Sequence, residues 1–68
     1  MLGLFYYHYD YHEWEDLVCV STDKAKLAKE VENDNRSDTN TLVLTETEHK
    51  TMAKIEQEHY FIRKVEVL

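Results

Sequence analysis

The chain has 68 residues, and its 14 aspartate and glutamate residues outnumber 8 lysine and arginine residues, giving a formal net charge of -6. A domain of this size buries only about 60% of the surface that its unfolded chain exposes, so its stability is a small difference between large terms. The single cysteine excludes an internal disulfide, and the acidity argues against direct binding to nucleic acid, whose phosphates select lysine and arginine.

The sequence also indicates where in the cell the protein is expected. No apolar run approaches the roughly 20 residues of a membrane span, and the N-terminus lacks the basic segment and cleavage site of a signal peptide. We therefore predict one small cytoplasmic domain over residues 1–68, with no membrane partner. Self-association is a further way to stabilise so small a domain, and the sequence leaves a homodimer open.

The N-terminal third predicts two strands. Residues 4–9 are rich in β-forming side chains and predict the first strand. Residues 10–13 would connect the strands, and because they contain no Asn-Gly or Asp-Gly pair, we expect a loop longer than a tight turn. Residues 14–20 predict the second strand. Its last four residues are apolar on both faces, which is typical of a central strand or of a strand packed on both sides.

The middle of the chain predicts a helix and then a polar loop. Ser21 or Thr22 is a suitable N-cap, because its side-chain oxygen can accept a hydrogen bond from the first turn. The helix would extend to about residue 32 or 33, with Leu27 and Val31 on its buried face. Residues 33–41 contain no apolar side chain and predict a mobile loop.

The C-terminal third predicts a second helix and a last strand. Residues 42–44 are either a short strand or an apolar segment leading into the helix. Thr45 followed by Glu48 has the spacing of a capping box, and the helix would end at about residue 58. Residues 60–68 predict a strand whose alternation changes phase, which a bulge at residues 63–64 would explain.

These elements predict an α+β fold in the order β-β-α-α-β. A three-stranded antiparallel sheet with two helices on one face would satisfy the burial pattern. The segments LFYYHYDY, LVCVSTDKAKLAKEV and YFIRKVEVL follow one another in this chain. In these segments the chain resembles the small, uncharacterised β-β-α-β domains of bacteria and their phages. The resemblance implies a fold and supplies no catalytic residues.

Three patterns could carry chemistry, and each has a simpler explanation. His8 and His12 lie about 13 Å apart in an extended strand, too far for one metal ion unless a turn brings them together. His49 or His59 from a helix could complete such a site, although the spacing does not require it. Cys19 lies in an apolar run that predicts a core position rather than a reactive thiol. The paired carboxylates predict a solvated surface, because a domain this small has little interior for a catalytic cleft. We therefore expect no enzymatic activity, metal or cofactor.

The most unusual segment is both aromatic and acidic. Residues 1–20 contain six of the eight aromatic residues and four acidic residues, without lysine or arginine. Strand alternation cannot bury all six rings on one face, and exposed tyrosine and tryptophan are effective binding anchors. The predicted partner-binding residues are Tyr7, Tyr9, Asp10, Tyr11, Glu13, Trp14, Glu15 and Asp16.

The sequence therefore predicts a small, acidic, protein-binding module. Its acidic hairpin would occupy a basic nucleic-acid-binding surface of a host protein complex, as a phage-type inhibitor of the anti-CRISPR or anti-restriction kind. The phage attribution comes from the resemblance alone. The alternative is a self-associating structural or regulatory subunit with the aromatic first strand as its dimer interface. Charge reversal at Glu13, Glu15 and Asp16 would weaken the inhibitor function and barely affect the dimer. Tyr7→Ala or Tyr9→Ala would instead dissociate the dimer of the alternative.

Overall fold

The computed structural model describes residues 1–34, 42–43 and 45–66. These residues form, in chain order, β1 (Leu2–Asp10), β2 (His12–Ser21), α1 (Lys24–Asn33), β3 (Leu42–Val43), α2 (Glu46–Met52) and β4 (Glu58–Lys64). The predicted α+β class is confirmed. Most of the predicted loop over residues 33–41 lies outside the described residues, as do residues 67–68 of the predicted last strand.

The strands of the described residues form one mixed sheet in the order β2-β1-β4-β3. β1 is antiparallel to both of its neighbours, whereas β3 runs parallel to β4. The prediction of a three-stranded antiparallel sheet was therefore wrong, because residues 42–43 form a fourth strand too short to show an alternating pattern. The prediction of a central second strand was also wrong, since β2 lies at one edge of the sheet.

A single residue, Tyr11, joins β1 to β2. Asp10 pairs directly with His12, and Tyr11 takes a left-handed backbone conformation with φ 73°. The predicted longer loop was wrong. This backbone conformation costs a residue other than glycine roughly 1–2 kcal/mol, and pairing along both strands offsets that cost.

The register of the β1–β2 pair shifts at Val18 of β2, whereas β4 pairs with β1 without a shift over residues 58–64. The bulge predicted at residues 63–64 is therefore not in this pairing.

α1 packs on one face of the sheet. Its N-cap is Asp23 rather than Ser21 or Thr22, and the Asp23 carboxylate accepts a hydrogen bond from the backbone N–H of Ala25 at 3.0 Å. Leu27 and Val31 are buried as predicted. They form an apolar core with four sheet residues on alternating positions of the two central strands: Leu4, Tyr6, Tyr60 and Ile62.

α2 packs on the opposite face. Thr45 and Glu48 form the predicted capping box, but the helix ends at Met52, six residues before the predicted end. Its neighbours in the sheet include Tyr7, Val43 and Phe61, which form a second buried cluster. The prediction of both helices on one face was wrong, because β1 and β4 carry large side chains on both faces and each face needs its own cover. Among the described residues, neither helix has the length and apolar character to cross a bilayer.

Candidate functional site

The face covered by α2 contains a polar cluster that the face covered by α1 lacks. The sheet register places Tyr7 of β1 between Glu15 of β2 and His59 of β4. α2 brings His49 over these three side chains, where its ring lies 5.2 Å from the Tyr7 ring, centroid to centroid. We call Tyr7, Glu15, His49, His59 and the neighbouring Arg63 the histidine cluster.

The two histidines are linked in a chain that ends at a carboxylate. Nδ1 of His49 lies 2.8 Å from Nε2 of His59, and Nε2 of His49 lies 3.4 Å from Oε1 of Glu15. Because a carboxylate only accepts, it favours the proton on Nε2 of a neutral His49, whose Nδ1 then accepts from His59. Nδ1 of His59 is left buried without a hydrogen-bond partner among the described residues.

Burial disfavours the charged form of His59. His59 is 0% exposed, and the His49 ring stacks on Phe61 at 3.8 Å between centroids. Burial lowers the pKa of His59 to about 4, and the positive charge that His49 can carry lowers it further. His59 is therefore uncharged at neutral pH, and it is not accessible to a substrate.

Arg63 closes the solvent side of the cluster. Its guanidinium donates to Glu15 through Nη1 at 3.0 Å and Nη2 at 3.4 Å, and Nη2 also donates to Glu46 at 3.3 Å. The guanidinium carbon also lies 4.9 Å from the centre of the Phe61 ring. Arg63 thus ties β4 to β2 and to the first turn of α2, and it partly neutralises Glu15.

Tyr7 belongs to this cluster and not to the surface. The side chain is 2% exposed, and its hydroxyl donates to Oε1 of Glu13 at 3.0 Å. Burial, followed by the hydrogen bond and charge of Glu13, raises the pKa of Tyr7 to about 12. Tyr7 is consequently protonated at neutral pH, and its buried ring cannot act as the exposed binding anchor that the sequence suggested.

An open cleft of about 450 Å³ lies above the cluster. Acidic and basic side chains both line its wall: Glu13, Glu15, Glu46, Lys50, Lys54 and Arg63. Three formal negative charges therefore meet three positive charges, so the cleft selects neither anions nor cations. The described residues contain no group of three or more side chains arranged to hold a metal ion.

The other sequence candidates lie on the α1 side of the sheet. His8 packs edge-on against Trp14, with ring centroids 4.1 Å apart, and Asp10 pairs with His12 at the turn. Cys19 packs against the apolar core as predicted, although it is only partly buried. Burial raises the pKa of its thiol, as do the nearby carboxylates of Glu30 and Asp34, so the thiolate form is disfavoured.

The predicted partner-binding residues separate into two groups. Tyr9, Tyr11 and Trp14 are 44%, 88% and 40% exposed. Together with the exposed residues Asp10, His12 and Glu13 they form what we call the hairpin tip, residues 9–14. Asp16 is exposed further along β2, whereas Tyr7 and Glu15 belong to the histidine cluster. Six of the eight predicted residues are thus exposed outside the histidine cluster, whereas Tyr7 is buried and Glu15 is engaged by His49 and Arg63.

Sequence reasoning missed the histidine cluster. His49 lies three residues before Met52 and so shares a helix face with it, and His59 alternates with Phe61 on β4. The sequence thus predicts both histidines near the apolar face of the second helix, and both are buried. Nothing in the sequence indicates that β1 and β4 are neighbours, and that neighbourhood is what joins the cluster.

Comparisons of the chain with protein-family models, with curated proteins and with solved structures find no match. The resemblance to small β-β-α-β domains of bacteria and phages therefore stays a prediction. The features of the chain that bear on its function are the hairpin tip and the histidine cluster.

Proposed function

We propose that the protein is a non-enzymatic binding module whose hairpin tip docks on a basic surface of another protein. The observation that carries this proposal is the exposure of Tyr9, Tyr11 and Trp14 beside Asp10 and Glu13. Large aromatic side chains bind with little loss of entropy, and surrounding carboxylates select a partner rich in lysine or arginine and speed its approach.

The shape of the hairpin supports this use. Residues 12–14 of β2 are exposed on both faces of the strand, which leaves the hairpin tip accessible to a partner. The pairing of β1 with β2 and with β4 holds the tip in place. A surface held by a sheet loses less freedom on binding than a flexible loop does, which favours affinity.

The charge also indicates a class of partner. Extended basic surfaces in cells are mostly sites that bind nucleic acid, and an acidic protein can compete for them. The proposed role is therefore inhibition of a nucleic-acid-handling complex, of the anti-CRISPR or anti-restriction kind.

Self-association through the aromatic first strand has less support. β1 is paired on both sides, and Tyr6 and Tyr7 are buried within the chain. A homodimer formed by strand pairing would have to use an edge strand, β2 or β3, instead, and the oligomeric state of the purified protein tests that directly.

The test compares two variants of equal charge as baits in a bacterial lysate at low and high salt. The tip variant carries Asp10→Lys and Glu13→Lys, and the control carries Glu32→Lys and Glu66→Lys at exposed sites elsewhere. Each reversal adds two charges, so both variants have a net charge of -2 instead of -6. Circular dichroism would check that the tip variant folds, since Glu13 accepts from Tyr7.

We expect the wild type and the control to retain a nucleic-acid-binding complex that the tip variant loses and that high salt weakens. Added wild-type protein should then reduce binding of DNA or RNA by that complex. Retention of the same proteins by the tip variant would contradict the proposal.

A further inference from the structure

The outer edge of β2 is a long strand edge paired on one side. Within the described residues β2 pairs with β1 alone, along all ten of its residues except at the register shift. Such an edge carries backbone N–H and C=O groups that can pair with another extended chain. Which groups point outward can be worked out from the hydrogen bonds on the other side of β1.

Two hydrogen bonds set the orientation of β1. The N–H of Tyr9 donates to the carbonyl of Gln57 at 3.0 Å, and the carbonyl of Met1 accepts from Val65 at 2.8 Å. Odd-numbered residues of β1 therefore direct their backbone groups toward β4. Because these groups alternate along a strand, even-numbered residues of β1 direct theirs toward β2.

This alternation assigns the backbone groups of β2. Glu13, Glu15 and Leu17 lie opposite odd-numbered residues of β1. Each of them therefore belongs to a non-hydrogen-bonded pair of the β1–β2 ladder. Their N–H and C=O groups consequently point away from β1, toward the open edge. The register shift at Val18 ends this regular run.

The side chains beside this edge are acidic. Glu13 and Glu15 lie on the α2 face of β2, and Trp14 and Asp16 lie on the other face. In a sheet, opposite charges on directly paired residues are favourable and like charges are unfavourable. A strand with lysine or arginine at alternating positions would therefore fit, whereas a second copy of this acidic strand would bring like charges together.

We propose that the outer edge of β2 binds an extended basic segment of the partner as an added strand over residues 13–17. This inference rests on the proposed function, because it specifies how the partner engages the acidic hairpin. Backbone pairing supplies the contact area, and the exposed carboxylates of Glu13 and Asp16 beside the edge select the basic residues, whereas Glu15 is already engaged by Arg63 and His49.

The test uses a labelled ten-residue peptide of alternating lysine and threonine, with a glutamate and threonine peptide as the charge control. Leu17→Pro removes one outward N–H without changing the charge, and proline is tolerated on edge strands where the N–H faces solvent. Leu17→Ala is the matched control, because it removes the side chain and keeps the N–H. We expect Leu17→Ala to bind the lysine peptide as the wild type does, and Leu17→Pro to bind at least tenfold more weakly.

A second measurement needs no variant. Binding of the lysine peptide to the wild type should slow amide hydrogen exchange at Glu13, Glu15 and Leu17. Exchange at Trp14 and Asp16 should change much less, because their N–H groups point toward β1 and are already hydrogen-bonded within the sheet.

Several results would overturn the inference. These are equal peptide binding by Leu17→Pro and Leu17→Ala, no added protection at the outward amides, or equal binding of the glutamate peptide. A dimer that Leu17→Pro dissociates would identify a second copy as the occupant instead. If Leu17→Pro still retains the partner that the tip variant loses, the proposed function stands and strand addition fails. If the lysine peptide pairs with β2 but the tip variant loses no partner, the proposed function fails.

Discussion

The two faces of the sheet are stabilised by different forces. On one face, α1 buries Leu27 and Val31 against apolar and tyrosine side chains of β1 and β4. On the other face, α2 packs His49 onto Phe61 and His59, with Glu15 and Arg63 at the margin. Both faces come from the same two central strands, whose side chains alternate between them. The α1 side depends mainly on apolar burial, with the Tyr60 hydroxyl donating to Asp34 at the end of α1, whereas the α2 side depends also on protonation.

The largest difference should come from truncating the apolar face. Leu27→Ala removes a side chain that is fully buried among Leu4, Val31 and Ile62, so the free energy of unfolding should fall by about 2–5 kcal/mol. Lys26→Ala, at an exposed position of the same helix, should change it by less than about 0.5 kcal/mol. Urea denaturation followed by circular dichroism measures both. A small effect of Leu27→Ala would mean that α1 contributes little to the fold.

Lowering the pH should destabilise mainly the α2 face of the sheet. The unfolded chain protonates His59 near its ordinary pKa of 6.5, whereas the folded chain does so only at a pKa of about 4. Between these values the unfolded state binds more protons, so stability falls as the pH drops from 6.5 to 4 and then levels off. The loss attributable to His59 is on the order of 3 kcal/mol.

Urea denaturation across this pH range measures the effect, and His59→Gln should flatten the dependence. His12→Gln, at an exposed histidine near the turn, is the matched control and should retain it. Amide exchange should show α2 loosening before α1, because His49 joins α2 to His59. A pH dependence that survives in His59→Gln would show that another group controls the acid response.

The parts of the fold that local chemistry determines could be predicted from the sequence. The capping box at Thr45 and Glu48 needs only two side chains at a fixed spacing. The buried face of α1, with Leu27 and Val31, needs only helical periodicity. The aromatic strand was recognisable from composition, although β1 extends further in both directions than its pattern indicated.

The features that the sequence did not predict depend on tertiary pairing. β3 has two residues, and its position is specified by β4 rather than by its own pattern. The turn at Tyr11 breaks the usual residue preference, because the paired strands on either side hold it. The histidine cluster requires β1 to lie beside β4, which strand order alone decides. For the same reason Glu15 was assigned to a binding surface, although Arg63 and His49 engage it.

The smallest effect should come from the ion pairs at the margin of the α2 face. Arg63→Lys keeps the charge but loses the two-pronged contact with Glu15 and the reach to Glu46. All three side chains are partly exposed, so the free energy of unfolding should fall by less than about 1 kcal/mol, and less still at high salt. Lys64→Arg, the reverse exchange at the next residue of β4, should leave stability unchanged at either salt concentration. A loss of several kcal/mol for Arg63→Lys would mean that the guanidinium organises the buried histidines through Glu15, and the α2 face would then depend on its charged margin as strongly as the α1 face depends on Leu27.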